Sequence, residues 1–105
     1  MDVVTMFETV LEKPQLYLGI KSLSRLDAFM SGYILATQTI KPEIQVQQLW
    51  DFYRWVEVRY HNTTSFGWAD LILFYSLHDE HKAFDTAKQF WEQYKAEVIE
   101  KQAST

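Results

Sequence analysis

The chain is expected to fold as an all-α protein, a compact single-domain bundle of about five helices. Three observations predict this class. Hydrophobic residues make up 48% of the 105-residue chain and aromatics 16%, enough apolar surface to drive one core of modest size. Only three Gly and two Pro are present, too few turn residues for the many tight hairpins of an all-β sandwich. Apolar residues also recur at i, i+3 and i+4 over most of the length, the period of a half-buried helix.

The first helix is read over residues 2–12, where Val3, Met6, Phe7, Val10 and Leu11 share one side. Asp2 or the Thr5-x-x-Glu8 capping box would start it, and Pro14 stops it. A connector follows, in which Tyr17 and Leu18 fold apolar surface back onto the core and Gly19 supplies a turn. The second helix opens at Ser22 as N-cap and runs to about Gln38, with Leu23, Leu26, Met30, Tyr33, Ile34 and Thr37 on one face. Ala28, Gly32 and Ala36, small residues four apart, would let a neighbouring helix approach on another side. This element is therefore expected to be central and covered on two sides.

A break is expected at 40–44. The third helix then runs from about Val46 to Tyr60, with Val46, Leu49, Trp50, Tyr53, Val56 and Tyr60 as its apolar face. Glu57 falls within that arc: buried, it would need a donor, with Arg25 and Arg59 as the candidates; otherwise it snorkels at the edge of the interface. The polar segment "HNTTSFG" reads as a loop. "WADLILFYSL" fits a short buried helix, since a single strand would have no partner. Asp79 is the N-cap expected for the last helix, residues 80–101, where Ala83, Phe84, Ala87, Phe90, Trp91, Tyr94 and Val98 hold register over several turns. The domain is assigned to residues 1–101 and a flexible tail to 102–105.

Composition narrows function. Ten Lys and Arg stand against 14 Asp and Glu, a formal charge of −4, and no basic stripe suited to neutralising phosphates is visible. Direct nucleic-acid binding is not expected; a basic partner is. There is no cysteine, hence no disulfide framework and no thiol nucleophile. Neither a signal peptide nor an 18-residue apolar run is seen, so a cytoplasmic protein without membrane contact is expected.

The stretch "EKPQLYLGIKSLSRL", residues 12–26, resembles the basic residue, Pro, Tyr, aliphatic, Gly string in the ATPase domains of type II topoisomerases. Those domains also carry a helical Glu and Asn pair and a Gly-rich Asp loop, and neither follows here. No Walker A motif or Gly-x-Gly-x-x-Gly occurs either, so no cofactor is expected. His78 and His81 stand three apart, but across a loop-to-helix junction and without a third oriented ligand. His61 near Ser65 lacks an elbow motif and an orienting acid. No catalytic residue and no metal ligand is assigned.

A contact surface is the remaining reading. Trp55 and Val58 lie on the otherwise polar side of the third helix beside Asp51, an aromatic anchor next to charge. The competing reading sandwiches this helix, with the second face meeting the first helix or the C-terminal segment. The loop "YHNTTSFGW", polar and aromatic at both ends, is the other candidate surface. The expected partner-binding residues are Asp51, Trp55, Val58, His61, Asn62, Asp79 and Glu80.

"KPQLYLGIKSLSRLDAFMSGY", then "LWDFYRWVEVRYHNTTSFGWADLI", then an aromatic-rich last helix, together resemble a family of small all-α bacterial immunity proteins. These are encoded beside contact-dependent growth-inhibition or related polymorphic toxins. The resemblance spans most of residues 7–94. It implies a non-enzyme that binds a cognate toxin domain, often a basic nuclease, and covers its active site or substrate path. The motif residues Pro14, Tyr17, Gly19, Arg25, Gly32 and Trp68 are read as scaffold, and no binding residue is carried over from the family.

Overall fold

Asp2 begins the first helix: its carboxylate accepts from the Thr5 backbone N–H at 2.8 Å, so Asp2 and not the Thr5 capping box is the start signal. The structure, a computed structural model, describes residues 2–40, 45–61 and 63–103. Helix α1 spans Val3–Glu12, α2 Pro14–Leu18, α3 Leu23–Ile40, α4 Gln45–Arg59, α5 Trp68–Tyr75 and α6 Glu80–Tyr94. A π-helical turn, Lys95–Ile99, continues α6 into the short α7, Glu100–Ala103. Among the described residues there is no strand, and the all-α class stands. Helicity reaches two residues beyond the expected boundary at 101, and residues 41–44 of the expected break lie outside the described residues.

The core is built around aromatic rings. Phe7 of α1 meets Phe52 of α4 at 5.9 Å and Trp91 of α6 at 5.2 Å, and Phe52 meets Trp91 at 5.1 Å and Trp68 of α5 at 5.6 Å. All four are buried, so one cluster ties four helices, and each such pair adds about 0.5–1.5 kcal/mol beyond area burial. Val3, Val10, Leu23, Leu26, Met30, Leu49, Val56, Ile72, Ala83, Phe84 and Ala87 fill the space around it. Helix α1 packs on α2, α3 and α4, while α6 packs on α3, α4 and α5.

Three expectations need correction, and the question of Glu57 is answered. Residues 14–18 are not an irregular connector but helix α2. Pro14 at its first position has its φ fixed for a helix and lacks only an N–H that would be unsatisfied anyway. Gly19 closes it at φ +85°, and Arg25 reaches back to donate to the Leu18 carbonyl at 2.7 Å.

The Ala28, Gly32 and Ala36 stripe faces solvent. A Cβ on Gly32 would meet nothing within 4 Å, so α3 is covered on one side only. The apolar arc of α4 is rotated from the expected one: Phe52 is fully buried, whereas Trp50 is 51% exposed. Phe52 could turn inward because the aromatic cluster of α1, α5 and α6 sits opposite it. Glu57 is half-buried and pairs with neither candidate, since Arg25 caps α2 and Arg59 lies over Trp55 and Phe90 at 5.0 and 5.5 Å.

Candidate partner-binding surface

Helix α5 presents its buried residues Trp68, Ala69, Leu71, Ile72 and Leu73 to the core. Its last turn and the turn after it run outward. Phe74 is 53% exposed, Tyr75 61% and Leu77 89%, and Phe66 of the preceding loop is 45% exposed. Tyr75, the last residue of the helix expected to be buried, is thus exposed, because the core side of α5 is already filled by Trp68, Ala69, Leu71, Ile72 and Leu73.

The rings form a connected group. Phe66 stands 6.4 Å from Phe74, Phe74 lies edge-on to Tyr75 at 5.2 Å, and Tyr75 stacks on Tyr60 at 4.8 Å with 5° between planes. Two clefts open here. One, of about 200 Å³, is lined by Tyr60, His61, Thr63, Thr64, Phe66 and residues of α5. The other, of about 390 Å³, is lined by Phe66, Asp70, Leu73, Phe74 and His78. Phe66 and Phe74 line both and form the wall between them.

Backbone geometry marks the same place. Helix α5 ends in a Schellman motif: the His78 N–H donates to the Leu73 carbonyl at 2.7 Å and the Leu77 N–H to the Phe74 carbonyl at 3.2 Å. The motif puts Leu77 at φ +56°, and His78 follows at +61°. Glycine usually fills the first position because a Cβ there costs about 1–2 kcal/mol. Here a leucine fills it and projects into solvent. Packing does not explain that choice, since Leu77 is 89% exposed, and it extends the exposed apolar group of Phe66, Phe74 and Tyr75.

The residues expected from sequence scatter around this corner. His61 lines the first cleft, at φ +51°. Asn62 lies outside the described residues. Asp79 caps α6, accepting from the Lys82 N–H at 3.0 Å. Both carboxylate oxygens of Glu80 are taken up by Ser22 and Ser24 of the α3 start, which assigns it to the fold.

Trp55 is half-buried against Phe90 at 6.0 Å and Tyr94 at 5.8 Å, with the Arg59 guanidinium over its ring, so its face of α4 meets the last helix. Val58 is exposed, and exposed Asp51 accepts from Gln47 at 2.8 Å. Phe66 lies in the loop "YHNTTSFGW" that the sequence offered as a contact surface, without being singled out there, whereas Phe74 and Leu77 were missed. The available signal was "LFYSLH": an apolar run that continues past the helix end with no Gly to close it.

Titration is perturbed mainly in the scaffold. Burial alone would raise Glu8, but hydrogen bonds from Trp91 Nε1 and Lys95 Nζ, both 2.9 Å, outweigh it and hold the carboxyl below its ordinary range. Burial would likewise raise Glu80, but the hydrogen bonds from Ser24 and Ser22 outweigh it and hold this carboxyl below its ordinary range as well. Asp27 is pushed up by burial, against a weak pull from Trp68, whose buried Nε1 finds no acceptor at good geometry. Burial also raises Tyr53, which stacks on Trp68 at 4.5 Å.

A second exposed apolar region lies between α3 and α4, where Ile34, Leu35, Gln38, Trp50 and Tyr53 line a groove. It has neither strained backbone nor a charged lining group. Among the described residues no group of three or more His, Asp or Glu could hold a metal, and no helix is long and apolar enough to cross a membrane. Comparison with protein-family models, curated proteins and solved structures gave no match.

Proposed function

We propose that this chain is an immunity protein that binds a cognate toxin domain, a basic nuclease, and covers its active site or substrate path. The observation that carries the binding part of this reading is the corner formed by Phe66, Phe74, Tyr75 and Leu77, large exposed apolar side chains of which Leu77 stands on left-handed backbone. Aromatic anchors of this kind, rimmed by polar groups, supply most of the energy in protein interfaces. The rim here includes His61, Asp70, His78 and Asp79. The toxin part rests on the sequence resemblance and on the net charge of −4, which favours a basic partner. An inhibitor of this type acts by steric cover and needs no chemistry of its own.

The test is co-expression with the C-terminal domain encoded immediately upstream, scoring growth and co-purification. Rescue with a stable complex is expected, and loss of both in Phe74→Ser and Leu77→Ser. Retention of the complex in those variants, with loss in Asp51→Lys or Trp55→Ala, would move the interface to α4. Absence of rescue and of a complex would overturn the immunity reading in favour of an adaptor for an unrelated basic segment.

A further inference from the structure

We infer that the cleft lined by Phe66, Asp70, Leu73, Phe74 and His78 receives an arginine side chain of the partner. This rests on the reading that the aromatic corner is the docking face, and adds the chemistry of what enters it. Carboxylates on the α1 and α6 side are largely neutralised from within. Lys21 pairs with Asp85, Lys88 with Glu12, and Lys95 with both Glu8 and Glu92, at 2.6 to 3.5 Å. Asp70 forms no ion pair among the described residues, and it is exposed at the edge of a cleft with two phenyl rings.

The lining selects its occupant by exclusion. An aliphatic side chain would cover Asp70 and strip its water without returning a hydrogen bond, which is costly for a charge. An anion would be repelled by the same carboxylate. A cation with a flat apolar face satisfies both parts: guanidinium lies against an aromatic ring and offers paired N–H donors to a carboxylate. Lysine can supply the charge but neither the planar face nor the fork, so arginine is the better fit. The rings of Phe66 and Phe74 both line the cleft, 53° apart in plane, and it is a ring face that attracts a guanidinium. Leu73 lines the floor against the side-chain methylenes.

The experiment is a two-dimensional NMR titration of the full chain with N-acetyl-arginine methylamide, its citrulline counterpart and its lysine counterpart. Citrulline keeps the shape and removes the charge. Arginine is expected to shift resonances of Phe66, Asp70, Leu73 and Phe74, lysine to bind more weakly, and citrulline to leave them in place. Asp70→Asn, an exposed substitution that preserves the fold, is expected to weaken arginine binding about tenfold.

Equal response to citrulline, no shift at the solubility limit, or indifference to Asp70→Asn would overturn the inference. The toxin complex separates this failure from that of the docking face. Full affinity in Asp70→Asn with loss in Phe74→Ser removes the arginine and keeps the face. Full affinity in both removes the face as well.

Discussion

Glu80, the first residue of α6, caps α3 from across the fold: Ser24 donates its backbone N–H to Oε1 at 2.8 Å and its hydroxyl to Oε2 at 2.6 Å. Ser22 completes the arrangement, donating to Oε1 at 3.1 Å while accepting from the Arg25 N–H at 3.2 Å. In a local capping box a Glu three residues after the cap would serve this purpose. That position here is Arg25, so a carboxylate from another helix takes over, and the N-terminus of α3 is locked to the start of α6.

Glu80→Ala should therefore destabilise the whole domain by about 1–2 kcal/mol, the usual cost of a lost cap. Thermal melting checks this. A neutral result would mean that water replaces the carboxylate at the α3 terminus.

Acid should unfold the protein through the same groups. Glu8 and Glu80 both have folded pKa values below the ordinary 4.5. Their stabilisation is complete above the unfolded value and is lost as pH falls through the folded values. Melting temperature should be level near neutrality and drop below about pH 4.5. The drop should be shallower in Glu80→Gln.

Asp27 has the opposite sign. Burial raises its pKa, so ionisation disfavours the folded state and stability falls as pH rises through the folded value. Asp27→Asn should be at least as stable as the parent at pH 7, with the difference shrinking toward pH 4. Denaturant melts at the two pH values measure this. A variant weaker at pH 7 would show that the carboxylate serves Trp68 more than burial costs it.

Gly32→Ala should stabilise the protein by about 0.5–1 kcal/mol, because the position is mid-helix, exposed and sterically open. A rise of the melting temperature by several degrees is expected for a domain of this size. A fall would indicate that a partner helix packs against Gly32.

Leu77→Gly should separate stability from binding. Glycine relieves the left-handed position and removes a side chain that packs on almost nothing, so the fold should gain about 1 kcal/mol. Capture of the toxin domain should fall. Calorimetry and pull-down on one preparation read both, and unchanged capture would take Leu77 out of the interface.

The all-α class, the starts of α1, α3 and α6 and the burial of Trp68, Phe84 and Trp91 were legible in the sequence. They depend on local rules: a side-chain oxygen at a cap and apolar spacing that repeats every helical turn. Tertiary structure decided which flank of each helix meets another. Helical spacing fixes an arc but not its centre, so Phe52 turned inward and Trp50 outward according to where the rings of α1, α5 and α6 converge. It placed the Ala28, Gly32 and Ala36 stripe toward water, because none of the described helices packs over it. It also bound Glu80 into the scaffold and left Phe66, Phe74 and Leu77 outside. A residue's neighbours across space, set by how the helices pack, determine whether an apolar side chain becomes core or contact surface.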